Sequence, residues 1–78
     1  MAKDIDKLAL CCNVILERLV YLYSDKIISK QQLLENSQLK QRFLNDILEN
    51  IESEELKLRS VKNLEELNAF LTFEKKSS

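Results

Sequence analysis

IDKLALCCNVILERLVYLY, residues 5–23, decides the fold, because 14 of these 19 positions are apolar. Within it an apolar stripe recurs at alternating spacings of three and four residues, which is the spacing of one buried helical seam. Its members are Ile5, Leu8, Cys12, Ile15, Leu19 and Leu22. Further apolar residues widen the stripe over most of the circumference, whereas an ordinary surface helix is apolar on one side only. The segment therefore predicts a first helix from about Asp4 to Tyr23, capped by Asp4 or Asp6 and covered on more than one side.

Local signals downstream predict a second helix with an interruption. Ser29 and Gln32 have the spacing of a capping box, so this helix is expected to start at about Lys30. Asn36 and Ser37 favour turns, and the apolar pattern weakens around them, which predicts a kink or break. A clean apolar stripe then follows, formed by Leu39, Phe43, Leu44, Ile47, Leu48 and Ile51.

The last third of the chain has a weaker helical pattern. Ser53 can cap a new start, but the residues from there to Val61 fit neither a helix nor a strand well. We therefore expect a short helix or a turn in that segment. Asn63 and Glu66 repeat the capping-box spacing and predict a last helix that ends near Phe73.

The composition favours long helices with few tight turns. The 78 residues include no Gly and no Pro, the two residues that most easily form turns and hairpins. The predicted fold class is all-α: a small three-helix bundle, or a helical hairpin with an additional short helix. Residues 1–73 are expected to form one helical domain, followed by a polar C-terminal tail at 74–78. Chains of this size often need a disulfide, a metal or an oligomer for stability, and we expect a dimer.

Residue types that most catalytic and metal sites need are missing. The chain has no His, the commonest general base and transition-metal ligand, and no Gly for a phosphate-binding loop. Cys11 and Cys12 are adjacent in a predicted helix, where neighbouring side chains point about 100° apart, so we do not expect them to bridge each other. Both are expected to pack as small apolar residues in a reducing compartment. We therefore expect no enzyme activity, no catalytic residues, no cofactor and no metal.

Charge and hydropathy indicate a cytoplasmic protein without a membrane partner. The net charge is −1 and both signs are mixed along the chain, so a nucleic acid is not the expected partner. No apolar run approaches the roughly 18 residues of a membrane helix. The early acids Asp4 and Asp6 are atypical of a signal peptide.

The surplus apolar surface of the first helix predicts a function through protein contact. The candidate partner-binding residues are Leu10, Val14, Tyr21 and Tyr23. The expected function is that of a small regulatory or adaptor protein that occludes or modulates a partner protein, as a homodimer. Two alternatives remain: a small DNA-binding regulator with a helix-turn-helix-like segment at 29–47, and a structural subunit of a larger complex.

Overall fold

The computed structural model describes the backbone of residues 2–77 and the side chains of residues 4–72. Its described backbone is almost entirely helical, which confirms the predicted all-α class. The elements are α1 (Ala2–Ser24), α2 (Lys30–Ile47), a single 3-10 turn (Leu48–Asn50) and α3 (Glu54–Ser77). No helix in the described part of the chain combines the length and hydropathy that crossing a membrane requires.

The first helix ends in a hydrogen-bonded turn that is usually built on glycine. The amide of Lys26 donates to the carbonyl of Tyr23 at 3.0 Å, and the amide of Ile27 donates to the carbonyl of Leu22 at 2.9 Å. This pair of bonds is a Schellman motif, which requires a left-handed residue. The chain contains no glycine, and Lys26 takes the left-handed conformation instead, with φ of 62°.

The second helix begins where the capping box predicts and then continues without a break. The Gln32 amide donates to Ser29 Oγ at 3.1 Å, and the Ser29 amide donates to Gln32 Oε1 at 2.9 Å. The interruption predicted at Asn36 and Ser37 is wrong. The Asn36 side chain donates to the Gln32 carbonyl one turn earlier, at 2.7 Å. Ser37 is fully buried, so its small size serves close packing of α2 rather than a turn.

The third helix is also continuous, so the short helix or turn predicted before Val61 is wrong. Ser53 caps the helix as expected, because the Leu56 amide donates to Ser53 Oγ at 3.3 Å. Asn63 does not begin a new helix but lies buried within α3, with its side chain hydrogen-bonded to α1. The helix continues to Ser77, beyond the predicted end near Phe73.

All three helices contribute to one apolar core and contact each other. Its buried members are Ala9, Cys12, Leu16, Leu33, Leu44, Ile47, Ile51 and Leu67. α1 and α3 run in the same direction, because Asp6 is bonded to Ser53 near their starts and Tyr23 packs on Phe70 near their ends. After α2 the chain returns to the first part of α1, where the Glu52 amide donates to Asp6, and the described chain extends over 43 × 21 × 18 Å.

Candidate protein-binding surface

One side of α1 is apolar and is only partly covered by α2 and α3, with Leu10 bordering a groove against Leu56 and Arg59 of α3. We call it the outer face of α1 and define it by Leu8, Leu10, Cys11, Val14, Ile15 and Tyr21. The five large apolar side chains in this set are 38–58% exposed. Contiguous exposed apolar surface on a small protein is typical of an interaction site.

The structure brings together three of the four predicted partner-binding residues. Leu10, Val14 and Tyr21 all lie on the outer face, with 44%, 51% and 58% of their surface exposed. Tyr23 does not join them, because it is half-buried on the inner side of α1. Its ring packs edge-on against Phe70, with the centroids 5.9 Å apart and the planes at 81°.

Two members of the outer face were expected in the buried stripe. Leu8 and Ile15 are 47% and 38% exposed, so that prediction is wrong for them. The side of α1 that faces the rest of the chain includes Asn13 and Glu17, whose side chains are hydrogen-bonded to α3. These polar contacts set the rotation of α1 about its axis, and this rotation determines which of its apolar residues remain exposed.

α2 also exposes apolar residues. Leu39 and Phe43, one helical turn apart, are 68% and 40% exposed, although both belong to the apolar stripe from which a buried side of α2 was expected. Gln41 lies on another side of α2, where it borders a groove toward α3. Leu39 and Phe43 therefore form a second, smaller exposed apolar area.

The two cysteines occupy different environments. Cys12 is buried in the core, as expected, and Cys11 is exposed on the outer face, so the expectation that both pack inside is wrong for Cys11. Burial raises the pKa of the Cys12 thiol, and the neighbouring Cys11 adds to this, while Lys40 acts in the opposite direction. The Cys12 thiol is therefore kept protonated and poorly nucleophilic.

Three charged residues, Lys7, Arg18 and Asp25, lie along the outer face of α1. The Arg18 guanidinium lies 5.9 Å from the centroid of the Tyr21 ring, a cation–π arrangement. The Asp25 amide donates to the Tyr21 carbonyl at 2.9 Å, so Asp25 continues the helical path one turn beyond Tyr21. Lys7 is exposed near the start of the same face. The face thus has a cation near its beginning and an acid at its end.

A buried polar network fixes α1 against α3. Asn13 is fully buried and donates to Ser60 Oγ and to the Ala9 carbonyl, both at 2.8 Å. Asn63 donates to Asn13 Oδ1 at 2.6 Å, and Ser60 donates to the carbonyl of Leu56 at 2.8 Å. No buried side-chain nitrogen or oxygen among residues 4–72 lacks a hydrogen-bond partner. Such a satisfied network specifies one register between two helices.

Glu17 extends this network to the molecular surface. Its carboxylate accepts two hydrogen bonds from Arg59, 2.7 Å from Nε and 2.6 Å from Nη2, and a third from Asn63 at 2.8 Å. The bond from Arg59 lowers the pKa of Glu17 to about 2, with burial opposing and Asn63 supporting the shift. The same pair raises the pKa of Arg59. This planar, two-bond geometry is the strongest form of surface ion pair.

We expect the stability contributed by Glu17 to be lost as the pH falls from about 4.5 to about 2. The unfolded chain takes up the proton near the ordinary pKa of 4.5, whereas the folded chain resists protonation until about 2. The stabilisation is therefore fully present above the unfolded pKa and disappears below the folded one. Because the Arg59 and Glu17 side chains are 41% and 37% exposed, solvent limits the contribution to about 1 kcal/mol.

Urea unfolding of the wild type and Glu17→Gln across this range measures that contribution. The two free energies of unfolding should differ at neutral pH and converge near the folded pKa of Glu17. A difference that stays constant with pH would contradict the assignment, because the other carboxylates titrate alike in both proteins.

A second link between α1 and α3 comes from Asp6. Its carboxylate accepts hydrogen bonds from the amides of Glu52 at 3.0 Å and Ser53 at 3.2 Å. The prediction that Asp6 caps α1 is therefore wrong, because α1 begins earlier and Asp6 instead holds the start of α3. Asp4 lies in the first turn of α1, where an acid suits the helix dipole.

The remaining candidate surfaces offer less. A shallow groove of about 470 Å³ between α2 and α3 is bordered mainly by polar side chains: Gln38, Gln41, Arg42, Asn45, Leu64, Glu65 and Asn68. Because α2 has no turn at its centre, the segment 29–47 does not have helix-turn-helix geometry. Within the described residues, no three Cys, Asp or Glu side chains converge in a way that would hold a metal ion.

Comparison with known proteins does not assign the chain to a family. No protein-family model matches the chain, and no curated protein and no solved structure is significantly similar to it.

Proposed function

We propose that the protein is a small non-catalytic regulatory or adaptor protein that acts by binding other proteins through the outer face of α1, and that it forms a homodimer there. The observation that carries the proposal is the exposure of Leu10, Val14 and Tyr21 on one helix face, on the side away from the core. Burying this apolar surface against a partner removes it from water, which is the main driving force of association.

The hydrogen-bond network supports contact rather than chemistry as the mode of action. Asn13, Glu17, Arg59 and Asn63 bond to one another, and no buried polar side chain between residues 4 and 72 is left aimed at a ligand. Groups arranged in this way position helices. Catalysis instead needs groups that are free to meet a substrate.

A second copy is the partner that best suits α1. We propose that the three helices form a bundle in which α1 packs on α2 and α3 with its inner side and on a second α1 with its outer face. The helix would then be covered on both sides, as its nearly continuous apolar sequence requires. A client protein that uses the same face would compete with the dimer, which gives a simple mechanism of regulation by occlusion.

We propose a cytoplasmic location for the same protein. Cys11 and Cys12 are both free thiols, and Cys11 is exposed. An exposed thiol persists in a reducing compartment and is readily oxidised outside it. This proposal is compatible with a dimer held only by non-covalent contacts.

Light scattering coupled to size-exclusion chromatography tests the homodimer. The chain has a mass of 9.2 kDa, so we expect a species of twice that mass at tens of micromolar protein, dissociating on dilution. A folded monomer at that concentration would contradict the homodimer. A chain that folds only when co-expressed with another protein would instead indicate a structural subunit of a larger complex.

A further inference from the structure

We propose that two copies pair the outer faces of α1 in antiparallel orientation, in the register that places Lys7 against Asp25 of the partner subunit. The twofold axis then crosses α1 at the level of Leu16. This inference rests on the proposed homodimer and specifies its geometry.

The pattern along α1 provides a spine for such pairing. Six exposed residues recur at alternating spacings of four and three: Lys7, Cys11, Val14, Arg18, Tyr21 and Asp25. This is the spacing at which one helix contacts another along its length. The bond from the Asp25 amide to the Tyr21 carbonyl keeps the last of them on the helical path.

Charge complementarity selects the antiparallel orientation. Among residues 4–72, no hydrogen bond or ion pair engages the side chain of Lys7 or Asp25. Antiparallel pairing sets Lys7 against the partner's Asp25 at both ends of the interface. Parallel pairing would set like charges against each other at positions 7, 18 and 25, which is destabilising.

The ends of the spine select the register. A second antiparallel register would pair Asp4 with Arg18 of the partner subunit and place the axis at Cys11. In that register Lys7 would face the apolar Ile15 of the partner subunit, so its charge would lose hydration without gaining an acidic partner. The proposed register instead pairs Lys7 with an acid at both ends and sets the exposed Tyr21 ring against the partner's Cys11.

Arg18 is the charged residue nearest the middle of the spine, and the proposed interface can accommodate it. Val14 faces Arg18 of the partner subunit, and the long apolar stem of arginine can cover a valine while its guanidinium stays in water. Arg18 already lies over the Tyr21 ring, which orients it along the face instead of away from it. The guanidinium groups of the two symmetry-related arginines can therefore stay in water at the edges of the interface while their stems cover the valines.

Disulfide trapping tests the register directly, with Cys11 as a native reporter. In Cys12→Ala/Tyr21→Cys, diamide takes up two electrons and two protons as two thiols form one disulfide. We expect a covalent dimer on non-reducing gels, with tryptic peptides joining Cys11 to the thiol introduced at position 21. Within one chain these positions are about 15 Å apart along the helix, beyond the roughly 7 Å between Cα atoms that a disulfide spans.

The connectivity separates failure of the register from failure of the dimer. Links of Cys11 to Cys11, or of position 21 to position 21, would overturn the antiparallel register while leaving the dimer intact. Absence of any covalent dimer, together with a monomeric mass in light scattering, would overturn both. Cys12→Ala/Leu58→Cys is the matched control, because Leu58 is an exposed apolar residue on α3 away from this face. It should cross-link far more slowly.

Charge reversal provides a second test that introduces no thiol. Lys7→Glu and Asp25→Lys should each raise the dimer Kd by roughly 3- to 10-fold, because each disturbs two symmetric ion pairs. The double variant should return close to the wild-type Kd, since it recreates both pairs with reversed sign. Failure of the double variant to recover would overturn the register. Lys62→Glu, a charge reversal at an exposed position of α3, should leave the Kd unchanged.

Discussion

Asn13→Ala is expected to lower the free energy of unfolding by roughly 2–4 kcal/mol, although the change removes only one small polar group. The Asn13 amide accepts a hydrogen bond from Asn63 at 2.6 Å and donates to Ser60 at 2.8 Å. After the change, one N–H of Asn63 and one lone pair of Ser60 lose their partners in a region that is closed to water. The cavity left by the amide adds to the loss.

Urea unfolding followed by circular dichroism measures the effect. Asn68→Ala is the matched control: Asn68 is an exposed asparagine of α3, and its replacement should change the free energy by no more than about 0.5 kcal/mol. The double variant Asn13→Ala/Asn63→Ala should cost less than the sum of the two single changes, because each single change already breaks their shared bond. Strict additivity, or a loss no greater than that of the control, would show that the network does not stabilise the fold.

The same network has a consequence for the candidate interface. By drawing Asn13 and Glu17 toward α3, it sets the rotation of α1 about its own axis. A different rotation would turn Leu8 and Ile15 inward and expose part of the present core. The same rotation of α1 therefore places its polar side against α3 and leaves its outer apolar face exposed.

Local signals in the sequence were sufficient for the helix class, for the presence of the first helix and for the start of the second. The absence of glycine and proline, the apolar density of residues 5–23 and the capping box at Ser29 are short-range features. The structure confirms the first helix and the start of the second near Lys30. Such features depend only on neighbours along the chain, so no tertiary information was needed.

The errors concern polar residues whose role depends on tertiary contacts. Asn36, Ser37 and Asn63 favour caps and turns locally, yet all three lie inside continuous helices. Ser37 and Asn63 are buried, and only the helices packed around them explain why. One signal was available in the sequence: Asn13 and Glu17 are four residues apart in a segment that is apolar at 14 of 19 positions. Residues of that spacing are neighbours on one helix face, so the two polar side chains can take part in one shared polar contact.

The candidate surface was predicted in part for the same reason. The surplus of apolar residues on the first helix is visible in the sequence, and Leu10, Val14 and Tyr21 are indeed exposed. Which other residues share their face depends on the rotation of α1, so Leu8 and Ile15 were assigned to the core. The partner of Tyr23, the Phe70 ring on α3, lies 47 positions away and leaves no local pattern.

Val14→Lys is expected to raise the dimer Kd by about 100-fold or more, which corresponds to about 3 kcal/mol. In the proposed register Val14 faces Arg18 of the partner subunit, so twofold symmetry sets a lysine against an arginine at two places in the interface. Like charges repel each other, and each must also lose part of its hydration when the faces meet. In the single chain the Val14 side chain is 51% exposed, so the substitution should not disturb the fold itself.

Leu58→Lys is the control that separates an effect on the interface from a general effect of added charge. Leu58 is 67% exposed on α3, so its replacement should leave both helicity and Kd unchanged. Tyr21→Asp, at the far end of the same face, should also weaken the dimer and in addition remove the ring that Arg18 covers. Loss of helicity in Val14→Lys would assign that residue to the internal packing of the chain. An unchanged Kd in both outer-face variants would exclude this face from the interface, because an interface here would hold two like-charged pairs in the first variant and unpaired carboxylates in the second.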